Sequence, residues 1–369
     1  MKGLVWIRIA VSAIVSVGCS NAPAVGSGDA AVSGGSSSGS SSSGGGSSSS
    51  SSGSSSSSSS GASGMLDAGS DGAEVVDAPP SDSAAVSSDA AAQGPCTAGT
   101  LKPGDSTLMI QSGTMMRSYI MHVPPKYDGK TRMPLVVDMH GKGDTAPHEM
   151  SWSGWAAKAD AVGIVMIYPQ GLYNSWNAGP PGCPILMCCC EPAQDYNIDD
   201  AAFIRAVVIK TAQDGCIDLK RVYATGLSNG GIMSQWLACD AADMFAAVAP
   251  VSGPNMIDCK PSRPISVVLY RGLVDPGVLY DGGNSSPTGH DWPSAMADFA
   301  KWRGLDQCTD TPMPLPTHPV CRISGKCAGG AEVVLCSPDA THNLYGMAMS
   351  LGAGVADVAW EVLQRHALP

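Results

Sequence analysis

Residues 222–237 confine this chain to a narrow set of folds. An apolar run, Val222-Tyr223-Ala224, leads into Gly226-Leu227-Ser228-Asn229-Gly230 and then into a segment carrying Ile232, Met233, Trp236 and Leu237. A strand that turns sharply into a helix needs glycines where any Cβ would clash, and the turn leaves the serine hydroxyl exposed above the sheet edge. The pattern G-x-S-x-G is weak by itself. It recurs at Gly35-Ser36-Ser37-Ser38-Gly39, inside a serine/glycine run that no enzyme could use. The flanking strand and helix separate the two occurrences. The alternative for residues 226–230 is an ordinary glycine-rich turn.

Around this segment, strand-like and helix-like stretches alternate from Cys96 onward. Ser118–Val123, Pro134–Met139, Ile164–Tyr168, Arg221–Thr225, Ala246–Val251, Ile265–Arg271 and Glu332–Cys336 read as strands. Leu135-Val136-Val137 is apolar on both faces, as in a strand covered on both sides. Helices are expected around Met150–Ala161, over Asp199–Gln213 and Asn229–Ala242, and at Gly354–His366. Such alternation predicts an α/β fold, with a mostly parallel central sheet and helices on both faces.

The N-terminal part reads differently. Lys2 and Arg8 flank a short apolar stretch, Ile9–Val17, that ends at Gly18-Cys19. It is too short to span a bilayer and predicts an export signal over residues 1–19. A small residue before cysteine resembles the bacterial lipoprotein cleavage box, with Cys19 as the lipid attachment site; a plain secretory signal is the alternative. Residues 20–95 are rich in serine, glycine and alanine, nearly all serine and glycine from Ser33 to Ser63, and predict a disordered tether. Residues 96–369 form the expected folded domain. The protein is then exported, either as an outer-membrane or cell-surface lipoprotein or as a secreted protein, touching a membrane only through that anchor. Of thirteen cysteines, setting Cys19 aside leaves twelve, all from Cys96 onward. That favours disulfides in an oxidising compartment over a metal site. Cys239–Cys259 and Cys308–Cys327 are the pairings guessed from position. A net charge of −11 argues against nucleic-acid binding.

A serine hydroxyl needs a base, and a base on this fold type needs an orienting acid, in the chain order Ser, acid, His. Four histidines follow Ser228: His290, His318, His342 and His366. His366 falls on the last helix, and His290 and His318 lie in Gly/Pro-rich stretches with no preceding strand to fix them. His342 follows the strand Glu332–Cys336 by the short loop Ser337–Thr341, so it is the candidate base. Asp275, just past Ile265–Tyr270, is the candidate acid, with Asp281 as fallback. The backbone N–H of Asn229 and those of the loop at Gly141 and Lys142 are the candidate oxyanion donors. His140 precedes Ser228 and is expected to brace that loop.

The folded region resembles the secreted esterases grouped as polyhydroxybutyrate depolymerase-like or feruloyl/acetylxylan esterase-like. The similar stretches are Arg117-Ser118-Tyr119, Asp138-Met139-His140-Gly141, Tyr168-Pro169-Gln170-Gly171, Ser175-Trp176-Asn177-Ala178-Gly179, Asp199-Asp200-Ala201-Ala202-Phe203, Arg221 to Gly230, Ala246 to Gly253 and Asp275 to Gly283. The resemblance implies an α/β-hydrolase fold with Ser228, Asp275 and His342 as triad. It implies two-step acyl transfer on feruloyl or acetyl polysaccharide esters or short polyhydroxyalkanoate esters, small or polymeric, with no metal or organic cofactor. Activity should rise with pH as the imidazole base loses its proton, at about 6 to 7. Three departures stand out. Arg271-Gly272 replaces the family's His-Gly before the acid. Asn343-Leu344-Tyr345-Gly346 replaces Trp-Pro-Gly after the histidine. Pro180–Pro192 carries four cysteines. The competing functions are a serine peptidase on the same fold and a catalytically inactive binding lipoprotein.

Overall fold

A computed structural model describes residues 96, 99–180, 189–285, 290–347 and 349–369. The chain divides into two units, Met1–Pro79 and Pro80–Pro369, and every described residue belongs to the second. The export signal, Cys19 and the tether over 20–95 lie outside the described residues, as do Cys183 and Cys188.

The apolar runs become a ten-stranded sheet. In chain order the strands are β1 (Gly104–Ser112), β2 (Met115–Val123), β3 (Met133–Met139), β4 (Val165–Pro169), β5 (Ile217–Leu227), β6 (Ala247–Val251), β7 (Ser266–Tyr270), β10 (Met313–Leu315), β11 (His318–Ser324) and β12 (Val333–Cys336); β8 (Gly283–Ser285) and β9 (His290–Trp292) form a separate hairpin. The sheet order is β1-β2-β4-β3-β5-β6-β7-β12-β11-β10. From β4 to β12 the neighbours are parallel, and the antiparallel strands sit at the two edges. Every residue of β3, β4, β6, β7 and β12 is buried, which explains their continuous apolar runs.

Alternate residues feed two cores. Leu135 and Val137 point to the layer formed by α3 (Asp200–Asp214), α4 (Asn229–Asp240) and α5 (Ala295–Leu305), where Phe203, Met233 and Trp302 are buried. Val136 points to the opposite layer, with Trp155 and Val358 from α2 (Trp155–Val162) and α7 (Val355–Leu363). The single helix expected over Met150–Ala161 is two, α1 (Ala146–Trp152) and α2, because Gly154 adopts φ 81° and starts a new helix. No helix among the described residues is long and apolar enough to cross a membrane.

Five disulfides join described residues: Cys96–Cys216, Cys189–Cys190, Cys239–Cys259, Cys308–Cys327 and Cys321–Cys336. The two guessed pairings are among them. Cys321 and Cys336 face each other directly in the β11–β12 register. Among the described residues no group of three or more His, Cys, Asp or Glu side chains is arranged to hold a metal ion.

Candidate active site

β5 ends at Leu227 and α4 begins at Asn229, so Ser228 occupies the turn alone, at φ 56° and ψ −117°. That is a strained conformation for a residue with a side chain. It is enforced from both sides. Ser228 N–H donates to the Val251 carbonyl at 2.8 Å and its own carbonyl accepts from Ile232 N–H at 2.9 Å. The flanking glycines are needed: a Cβ on Gly226 would lie 2.4 Å from the Met139 carbonyl oxygen, and one on Gly230 would lie 2.0 Å from it.

The acid and histidine loops are joined along their backbones. Arg271 N–H donates to Cys336 O at 3.0 Å, Leu273 N–H to Pro338 O at 2.9 Å, and Val274 N–H to Ala340 O at 3.3 Å. Gly272 permits this, since a Cβ there would meet Ala340 O at 2.3 Å. The pairing sets Asp275 Oδ2 2.8 Å from His342 Nδ1. Asp275 Oδ1 accepts from the N–H groups of Gly277 and Val278 at 2.8 and 2.9 Å. Burial alone would raise the Asp275 pKa, but the hydrogen bond and charge of His342 and the two N–H donors outweigh it, so the carboxyl is held below its ordinary value. Asp281 is exposed in the following turn.

His318 and His366 are engaged elsewhere. His318 lies on β11, with Nδ1 3.0 Å from Leu351 O and Nε2 3.2 Å from Glu361, and His290 opens β9. The expectation that no preceding strand fixes these two is therefore corrected: β8 precedes β9 and β10 precedes β11, short antiparallel strands with little apolar alternation. His366 falls just after α7 rather than on it, 3.0 Å from Glu332.

The loop after β3 meets the serine turn. A Cβ on Gly141 would lie 3.6 Å from Ser228 Cβ. His140, fully buried, accepts from Gly171 N–H at Nε2, 3.0 Å away, so its Nδ1–H donates to Gly141 O at 2.8 Å. Burial lowers its pKa, which suits this neutral bracing role. Lys142 turns outward to pair with Glu191 at 2.5 Å. The Asn229 side chain grips the backbone of Trp176, accepting from its N–H at 2.7 Å and donating to its carbonyl at 3.0 Å. Trp176 Nε1 in turn donates to His140 O at 2.9 Å. Sequence reasoning placed Trp176 only within a family-like stretch, because nothing local announces a contact between residues 53 apart.

Arg271 is also buried. Its Nη2 donates to Leu279 O at 2.8 Å and to Pro293 O at 3.3 Å, and its Nη1 lies 4.0 Å from Asp298 Oδ2. Asp298 is held by Gln235 Nε2 at 2.9 Å and Asn255 N–H at 3.3 Å. The arginine thus pins the far end of the loop that carries Asp275.

The chain is similar in sequence to known hydrolases. The Prolyl oligopeptidase family (Peptidase_S9) matches residues 194–262. Feruloyl esterase B of Piromyces equi is 30% identical over 266 residues, covering 69% of this chain and 46% of that protein. Feruloyl esterase C of Emericella nidulans is 30% identical over 174 residues, covering 45% and 58%. The chain therefore spans about half the length of the curated relatives it matches. The acetyl xylan esterase of Aspergillus awamori superposes with a TM-score of 0.48 at 14% identity, covering 70% of this chain and 99% of that one. The chain is a serine-hydrolase-type α/β-hydrolase, related to esterases and to peptidases of the prolyl oligopeptidase type.

Proposed function

We propose that the protein hydrolyses carboxylic esters through an acyl-enzyme, with Ser228 as nucleophile, His342 as base and Asp275 as the acid that orients it. The observation that carries this reading is the Asp275–His342 pair at 2.8 Å, in the chain order Ser, Asp, His that follows a strained serine turn. His342 Nε2 takes the Ser228 proton as Oγ attacks the ester carbonyl. The N–H groups of Asn229 and of the Gly141-Lys142 loop stabilise the oxyanion. His342 then protonates the leaving alkoxide, and water repeats the cycle on the acyl-enzyme. Feruloyl or acetyl polysaccharide esters and short polyhydroxyalkanoate esters are the substrate classes, and the feruloyl esterases among the relatives favour the first. Export through residues 1–19, with lipid on Cys19, belongs to the same reading and is supported by the disulfides among the described residues.

The match to the Prolyl oligopeptidase family over residues 194–262 favours a second reading, amide hydrolysis by the same triad. A panel of nitrophenyl esters, methyl ferulate and chromogenic peptides, offered to the full chain and to Ser228→Ala, decides between them. The ester reading expects turnover of esters that Ser228→Ala abolishes. Faster turnover of peptides reverses the assignment, and turnover of neither leaves a binding protein.

A further inference from the structure

We propose that Glu149 is a positioning residue for His342: held neutral, it donates to Asp138, accepts from the Tyr345 hydroxyl, and so fastens the histidine segment to the sheet. The role of His342 here is the one the ester-hydrolase reading gives it. Three elements bring the groups together. Asp138 lies near the end of β3, just before His140; Glu149 lies on α1; Tyr345 lies on α6 (Leu344–Met347), just after His342. Asp138 and Glu149 are fully buried. Their four carboxyl oxygens and the hydroxyls of Tyr168 and Tyr345 are shut off from water, and none has a well-formed hydrogen bond among the described residues. Two ionised carboxylates cannot repair this, because each only accepts and their charges repel. One proton does. The hydrogen-bonding neighbours of Glu149 are Asp138 and Tyr345, and Asp138 has Ser153 besides. A neutral Glu149 offers its O–H to Asp138 and its other oxygen to the Tyr345 hydroxyl.

The surroundings keep the proton on Glu149. Burial raises its pKa most, the charge of Asp138 and then that of Asp144 in the loop after β3 raise it further, and the Tyr345 hydroxyl opposes them. Asp144 itself pairs with His148 of α1 at 2.7 Å. Asp138, raised by burial to about 7 against Ser153 and Glu149, gives up its proton first. Burial holds the phenols of Tyr168 on β4 and Tyr345 neutral, with Asp105 of β1 adding to the effect at Tyr168. The Tyr345 ring is held as well as its hydroxyl: Trp152 of α1 meets it edge-on, with centroids 5.5 Å apart and planes at 82°. Leu344, next to Tyr345, is fully buried, and its N–H donates to His342 O at 3.2 Å. Asp275 fixes the Nδ1 edge of His342, and Tyr345 fixes the chain that follows it. A shift of Tyr345 therefore misaims the imidazole without touching substrate.

The test compares the full-length chain with Glu149→Gln and Tyr345→Phe. Infrared spectra at about pH 8, above the value of about 7 for Asp138, should show a protonated-carboxyl C=O band that Glu149→Gln removes and Tyr345→Phe keeps. Hydrogen exchange across residues 337–347 should be several-fold faster in Tyr345→Phe. It should stay near the parent in Glu149→Gln, whose amide still donates and accepts. On nitrophenyl esters Tyr345→Phe should lower kcat by about three- to tenfold, with KM within about twofold. A band that survives Glu149→Gln overturns the proposal, and so do parental exchange and kcat in a folded Tyr345→Phe. Band and exchange are read without any hydrolysis. If both behave as expected in a chain that turns over no ester, the ester-hydrolase reading fails alone. An active chain whose band survives Glu149→Gln refutes the neutral Glu149 alone.

Discussion

Two aspartates show how position sets chemistry at the residue scale. Asp275 accepts two backbone N–H bonds and an imidazole, and stays ionised. Asp138, one residue before the Met139 that closes β3, is fully buried beside Glu149, Ser153 and Tyr168, and burial pushes its pKa up to about 7. Glu149 is raised as well, by burial and then by Asp138. The consequence for stability has a definite sign. The unfolded chain releases the Asp138 proton near 3.8 and the folded chain only near 7. Its contribution is therefore full below the lower value and is lost as pH rises through the upper one. The melting temperature should fall by several degrees between pH 5 and 7.5, flattening above that, and Asp138→Asn should reduce the slope. Thermal melts across that range check it; a slope unchanged by the substitution would refute the assignment.

At the scale of elements, the acid loop after β7 and the histidine loop after β12 act as one unit, because three backbone hydrogen bonds and the Gly272 close approach hold them together. Arg271 braces that unit by donating to the carbonyls of Leu279 and Pro293, and its guanidinium lies 4.0 Å from Asp298 of α5. A lysine keeps the charge but loses the fork that reaches two carbonyls and a carboxylate. On the proposed triad, Arg271→Lys should lower kcat by roughly tenfold with little change in KM, because a small misplacement of Asp275 would misaim His342 without touching substrate. Steady-state kinetics with a parallel melt check this, and an unchanged kcat in a folded variant would show that the loop needs no such brace. The family resemblance flagged Arg271 as a departure. Its role became visible only when residues 279, 293 and 298 came together around it.

For the molecule as a whole, Cys96–Cys216 ties the start of the described region to the entrance of β5 across 120 residues. Chain-entropy reasoning assigns such a closure about 4 to 5 kcal/mol. Cys96→Ala with Cys216→Ala should lower the melting temperature by roughly 10 °C; a melting point within about 2 °C of the parent would deny the crosslink a structural role. The parallel heart of the sheet was legible in sequence because burial on both faces writes itself as unbroken apolar runs, as at β3 and β7. β1, mostly exposed, and β10 and β11 at the far edge carry no such signature, and α5 was missed as well. The sharp turn at Ser228 was legible because glycine spacing is a local steric demand. The Asn229 clasp on Trp176, the buried Asp138 pair and the Arg271 brace were not, because each depends on residues far apart in the chain.

The most direct test of the central claim is labelling of the full-length chain with a fluorophosphonate, followed by peptide mapping. The account predicts one covalent phosphonyl group, on Ser228, and its loss in His342→Ala, whose serine lacks a base. A folded chain that takes no label, or one labelled at another residue, would contradict it.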